Sequence, residues 1–324
     1  MYLCPNYMRY PKIVTFFHPF LACEHKADLN YSKSPAKPAR LMAYLATKGL
    51  ADCLEIRDDF PLLEDKDFHL AHTATYVEDF FSGKGLCESN NLRWSHEFAT
   101  SVRYTNSSLW AALRNSLCHP AEVSFSPTSG FHHATPERGG GFCTFSGQVI
   151  ASLKAWESFA AVGCYIDLDA HFGNSIEDSR RFAPDLDQAV PKAYHFNGSQ
   201  TDGEYFAMLE TFVRGTLEPA LLAGSVQYVV WCHGADSHRD DQLGHQCTTR
   251  WWLRCADFFW SWIAEMDAAQ GRPVPVSCAL FGGYRDDHYN SVLSLHTGDL
   301  MSCMRHLLGW DSGYQTEVRA RKSM

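Results

Sequence analysis

Four short apolar runs limit the fold most: Ile13–Phe17, Val162–Leu168, Val226–Cys232 and Val274–Phe281. None shows the polar–apolar alternation of a strand with one face in water. Uninterrupted runs of this length suit strands covered on both faces, as in a parallel sheet held between two layers of helices. Stretches with apolar residues at three-to-four spacing lie between and around them. They predict helices over Ala39–Lys48, Ser108–Leu117, Gly147–Ala160, Tyr205–Leu222 and Trp252–Ala269. Asn106–Ser107–Ser108 reads as the N-cap of the second of these. The expectation is an α/β chain with a mostly parallel central sheet and helices on both faces. Without an internal repeat or linker-like composition, residues 1–324 read as a single domain.

Composition narrows the class of function. Hydrophobic residues make up 45%, aromatics 14% and charged residues 20% of 324 positions, which excludes disorder as the main state. A net charge of −9 argues against general binding to nucleic acid or an anionic membrane, because both need a basic field. The basic cluster at Arg319, Arg321 and Lys322 reads as a solvated tail. Twelve cysteines are scattered from Cys4 to Cys303 with no CxxC spacing, so reduced thiols in a reducing cytoplasm are expected. No run reaches the roughly 18 apolar residues of a membrane span, and the N-terminus lacks a signal-peptide pattern. The chain is therefore expected to be soluble and unprocessed. Trp251, Trp252, Phe258, Phe259, Trp260 and Trp262 form an aromatic stripe that reads as core, with any exposed part available for a subunit contact.

In open α/β sheets ligands gather beyond the carboxyl ends of the strands, and here the loops after the strands are rich in His, Asp and Gly. Asp167–Leu168–Asp169–Ala170–His171 closes one run, and a continued strand would put Asp167, Asp169 and His171 on one side. Carboxylates and an imidazole at this spacing can chelate zinc, although a strand end that caps the next helix uses the same residues. Gly130–Phe131–His132–His133 lies in a glycine-rich loop continued by Gly139–Gly140–Gly141–Phe142. Two adjacent imidazoles there must both find partners, and a neutral one can take a proton from water near physiological pH. Gly234–Ala235–Asp236 follows a third run and can complete a three-ligand site, with His233, His238 and His245 as competing ligands. Gly282–Gly283–Tyr284 follows the fourth and offers a phenol to a developing oxyanion.

In this order the motifs resemble the histone deacetylase family of the arginase–deacetylase fold. Ser34–Pro35–Ala36–Lys37–Pro38–Ala39–Arg40–Leu41, Ala71–His72–Thr73, Tyr76–Val77 and Phe80 are similar to its N-terminal segments. The resemblance implies zinc held by Asp169, His171 and Asp236. It also implies His132 and His133 as tandem histidines beside a metal-bound water, Tyr284 as the carbonyl-polarising phenol, and Gly141 with Phe142 in the wall of an acyl-lysine channel. Asp167 is expected to orient His132. The carbonyls of Asp167, Asp169 and His171 are expected to contribute to a potassium site whose other ligands lie around Ala193–Phe196.

Departures from the family pattern carry information. Phe172 replaces a second histidine, and the loop Asp240–Asp241–Gln242–Leu243–Gly244 lacks the usual proline. Asn174 resembles the class II branch; as the partner of His133 it removes a carboxylate's support, which favours a neutral His133 beside a charged His132. The dinuclear arginases need further carboxylates where this chain has Gly173 and Ser237–His238. Leu243 stands where polyamine-selective relatives carry an acidic gatekeeper. The expected activity is hydrolysis of acyl-lysine. An acylated polyamine or other small amide is the alternative substrate, and a non-catalytic acyl-binding protein is the rival role.

Overall fold

The computed structural model describes residues 8–24 and 29–310, and in it the apolar runs become strands of one sheet. The strands are β1 Ile13–Phe16, β2 Leu54–Arg57, β3 Val123–Ser126, β4 Gly163–Asp167, β5 His195–Asn197, β6 Tyr228–Cys232 and β7 Val276–Ala279. Their order is β2-β1-β3-β7-β6-β4-β5, and every pairing is parallel. Cys4 and the basic cluster at 319–322 fall outside the described residues.

The register shows why the strands are apolar throughout. Phe125, Cys278, Trp231, Ile166 and Phe196 are successive cross-strand partners, and all face one core cluster. Their chain neighbours Tyr165, Val230, Cys232 and Ala279 belong to a second cluster on the other side. Alternation along the strand thus feeds two cores instead of one core and water. The first is closed by the helices Lys37–Thr47, Asp202–Phe212, Thr249–Gln270 and Tyr289–Leu307, the second by Ala74–Ser82, His96–Cys118 and Gly147–Phe159. The aromatic stripe is core: Trp252, Phe258, Phe259, Trp260 and Trp262 are buried, and only Trp251 is half-buried.

Several sequence expectations are corrected. The second helix starts at His96, capped by Ser95, whose hydroxyl accepts from Phe98 N–H at 3.0 Å. Asn106, Ser107 and Ser108 are therefore not a cap. They lie mid-helix and buried, where Asn106 and Ser107 bond the carbonyls of Val102 and Arg103 four residues back. The helix expected over Tyr205–Leu222 begins at Asp202 and passes through a π-helical turn, Val213–Leu217. That wide turn leaves Pro219 in the first turn of the next helix, Glu218–Leu222, where a missing N–H costs nothing. Among the described residues no disulfide forms, and no helix is long and apolar enough to cross a membrane.

Candidate active site

β3, β7, β6 and β4 are neighbours running the same way, so their carboxyl ends open on one edge of the sheet. The loop after β3 delivers His132 and His133, that after β7 Tyr284, that after β6 Asp236, and that after β4 Asp169 and His171. The last placement corrects the alternation argument, because β4 ends at Asp167. Turns gather the three residues instead. Asp167 Oδ1 accepts from Asp169 N–H and Asp169 Oδ1 from His171 N–H, each at 3.0 Å. Each aspartate folds the chain two residues ahead of itself.

Asp169, His171 and Asp236 each present a ligand atom within 4.8 Å of the others. His171 Nδ1 lies 3.0 Å from Asp169 Oδ1 and 3.0 Å from Asp236 Oδ2. Ligands about 2 Å from a tetrahedral zinc stand roughly 3.3 Å apart, so this triangle is close to one face of such a site. Backbone donors fix both carboxylates: Gly282 N–H to Asp169 Oδ2 at 2.8 Å and Ala170 N–H to Asp236 Oδ1 at 3.2 Å. Burial and the charge of Asp169 push the Asp236 carboxyl well up, while hydrogen bonds to Asp169 and Asp236 lift His171 to about 10. A crowd of buried acceptors with this proton affinity is what a divalent cation relieves. The competing histidines are engaged elsewhere: His233 with Asp299, His238 with Thr249, and His245 with the Arg239 carbonyl.

The tandem histidines separate electrostatically. His132 Nδ1 lies 2.9 Å from Asp167 Oδ2; burial opposes its charging, but Asp169 and Asp167 prevail and raise it to about 9. His133 Nδ1 lies 2.9 Å from Asn174 Oδ1, and burial together with the charge of His132 lowers its pKa. One ring is thus held protonated and its neighbour neutral, with ring centres 4.1 Å apart. Gly141 adopts φ +48°, and a side chain there would meet the His133 ring at 2.5 Å, so the histidine requires the glycine.

Tyr284 is buried, 6.3 Å from the His171 ring and 5.5 Å from Phe142, which stacks on Tyr31 in turn. Burial pushes its phenol well up, so it is a hydrogen-bond donor. A cleft of about 230 Å³ is lined by His132, Phe142, Asp169 and Tyr284, and a second of about 430 Å³ shares Ser34, Ser129, Gly130 and Phe142 with it. Leu243 is 37% exposed on the neighbouring loop and lines neither cleft. Phe172 is 62% exposed beside His171.

Three residues were given no role from sequence. Lys37 is fully buried and donates to the Phe281 carbonyl; burial lowers it to about 8 against the pull of Asp236, Asp169 and Asp241. Asp241, also buried, accepts from Tyr284 N–H at 2.6 Å and Leu243 N–H at 2.9 Å, tying the tyrosine loop to its neighbour. His72 accepts from Ser146 N–H at 2.8 Å. Lys37 and His72 sit inside the matched N-terminal segments, which was the available signal.

The histone deacetylase domain, as a family profile, matches residues 31–186. Histone deacetylase 2 of Arabidopsis thaliana is 34% identical over 139 residues, covering 36% of this chain. Over residues 31–186, then, the chain is similar to the histone deacetylase domain. The match spans about a third, 33%, of that curated relative's length. The fold is shared more widely than the sequence: the crystal structure of the HDA15 HD domain superposes with a TM-score of 0.70 at 17% identity, covering 92% of this chain and 89% of that one. The profile match includes the loops carrying His132, His133, Asp169 and His171; Asp236 and Tyr284 lie beyond it.

Proposed function

We propose that the chain is a zinc-dependent amide hydrolase that removes an acetyl or other short acyl group from acyl-lysine side chains. The observation that carries this reading is the gathering of a neutral histidine and a protonated phenol around three ligand side chains: the His133 and Tyr284 rings lie 6.0 Å and 6.3 Å from that of His171. Asp169, His171 and Asp236 would hold the zinc, which when bound acts as a Lewis acid and acidifies water. His133 takes the water proton through Nε2, since Nδ1 is committed to Asn174. Asp167 keeps His132 charged beside it, which supports negative charge developing in the cleft. Tyr284 donates its hydroxyl to the carbonyl oxygen as that oxygen becomes anionic. The amine leaves once a proton returns to it, and no covalent acyl-enzyme is required. Gly141 and Phe142 flank the acyl-lysine chain, and Phe142 is braced by Tyr31.

Potassium belongs to this proposal by resemblance. The carbonyls of Asp167, Asp169 and His171 would contribute to its site; that of Asp167 also accepts from Gly198 N–H at 3.0 Å. A reducing compartment such as the cytoplasm suits the buried thiols.

The test is zinc content together with acetate release from an acetyl-lysine peptide, with acetylspermidine and acetylputrescine in parallel and His133→Ala as control. About one zinc per chain with His133-dependent release from the peptide supports the reading. A preference for the polyamines moves the substrate to an acylated amine. Full zinc without release from any of the three sinks the hydrolase reading for these substrates.

A further inference from the structure

The tautomer of His133 is decided outside the cleft. Asn174 presents its side-chain oxygen to His133 Nδ1 at 2.9 Å and its amide nitrogen to Asp178 Oδ2 at 2.6 Å. We infer that Asp178 is a positioning residue which, through Asn174, holds His133 as the tautomer with its proton on Nδ1 and a bare Nε2. The inference rests on the reading of His133 as the base.

The two ends of an amide are similar in shape and opposite in hydrogen-bonding sense. A carboxylate only accepts, so Asp178 admits one orientation, with the nitrogen towards itself. Turning the amide over would set its oxygen against the carboxylate. With the oxygen thus fixed towards His133, Nδ1 has to be the donor. In a neutral ring the lone pair is then on Nε2, the atom that must receive a proton. Without Asp178 either face of the amide serves. The flipped amide donates to Nδ1 and stabilises the other tautomer, which cannot act as a base at Nε2.

Local structure supports the arrangement. Asn174 and Asp178 are one helical turn apart, and Asp178 N–H bonds the Asn174 carbonyl at 2.9 Å. Asp178 is exposed, and Arg180, the nearest cation in sequence, is taken up by Glu177 and Asp187 instead. Sequence reading noted only that asparagine deprives His133 of a carboxylate. The structure returns one a residue further out, which orients the base without pairing with it.

The test compares the full-length protein with Asp178→Ala and Asp178→Asn, whose amide oxygen can still accept from Asn174. Long-range proton–nitrogen NMR on histidine-labelled protein reads the His133 ring, assigned by its loss in His133→Gln; steady-state kinetics and melting are run alongside. The inference expects Nδ1–H in the parent and in Asp178→Asn. In Asp178→Ala it expects a mixed or reversed tautomer, with kcat lowered about five- to tenfold, KM and melting temperature unchanged, consistent with one charge-assisted hydrogen bond at a partly exposed site. In an Asn174→Asp background, Asp178→Ala should no longer lower kcat, because a carboxylate then faces the ring directly. An Asp178→Ala protein that keeps the Nδ1–H tautomer overturns the inference, as does one whose kcat stays within about twofold of the parent. A parent inactive on every acyl-lysine peptide removes the hydrolase reading alone, and the ring spectra then decide this one.

Discussion

Replacing Gly282 by alanine should weaken zinc binding at the proposed site by about 100-fold or more while leaving the fold intact. Gly282 has no left-handed backbone, so alanine is conformationally acceptable there, and the damage comes from the methyl group itself. A Cβ at this position lies 2.3 Å from both Cγ and Oδ2 of Asp236 and 2.7 Å from Asp169 Oδ2. Non-bonded carbon contacts sit near 3.5 Å, so Asp236 has to retreat by roughly 1 Å. Ligand positions tolerate only about 0.2 Å, so the carboxylate can no longer complete the triangle with His171 Nδ1. Losing orientation around a ligand costs 10–100-fold in metal affinity, and displacing the ligand itself belongs at or beyond the upper end, about 2.7 kcal/mol for a factor of 100. The assay is competition for zinc against a chromophoric chelator, with far-UV circular dichroism to establish that the chain is folded. Gly215→Ala is the matched control, since a Cβ there meets nothing within 4 Å. A folded Gly282→Ala protein that holds zinc as tightly as Gly215→Ala would refute both the steric argument and the placement of Asp236 as a ligand.

Tyr284→Phe should lower kcat by about 10²–10³ with zinc affinity unchanged, as for loss of an oxyanion donor; wild-type turnover rules the role out. Zinc binding at pH 7 should release protons, first that of His171, which hydrogen bonds to Asp169 and Asp236 raise to about 10. Calorimetry in buffers of different ionisation enthalpy counts them, and a value near zero contradicts the site electrostatics. Burial holds His72 at about 3 in the fold against 6.5 unfolded. Below 6.5 the unfolded chain therefore binds a proton that the native chain refuses, and stability falls by about 1.4 kcal/mol per pH unit as pH drops towards 3. Urea unfolding at pH 7 and pH 5 should show a smaller loss in His72→Gln than in the parent; equal losses dismiss the assignment.

What could be read from sequence followed from how burial marks a strand. β4, β6 and β7 are covered on both faces and stand out as apolar runs, and the residues following each supply Asp169, Asp236 and Tyr284. β3 escaped notice because Val123–Ser126 alternates like a half-wet strand. Yet Ser124 and Ser126 are fully buried, satisfied by Asn115 Nδ2 at 3.0 Å and Ser108 Oγ at 2.7 Å. Those bonds come from the helix whose polar residues imitate a cap, so one buried polar seam produced both errors. β2 and β5 are edge strands of four and three residues, too short to carry a period. Lys37 and Asp241 were hidden because a lysine or an aspartate in a loop or first turn ordinarily reads as solvated; burial beside the cleft is a tertiary fact. Asp178 is invisible for the opposite reason, being exposed and important only through its neighbour.

The place of β7 has a consequence for how the molecule is made. It is the last strand among the described residues yet lies near the middle of the sheet, between β3 and β6, and its pairing with β3 joins residues 124–126 to 277–279. Until that segment leaves the ribosome, β1, β2 and β3 have no sheet contact with β4, β5 and β6. The two halves must therefore wait with exposed apolar edges, which is the slow and aggregation-prone situation of non-local parallel pairing. Insertion of β7 closes the sheet and brings Gly282 to Asp169 in the same event, so the proposed metal site is completed only when the sheet is.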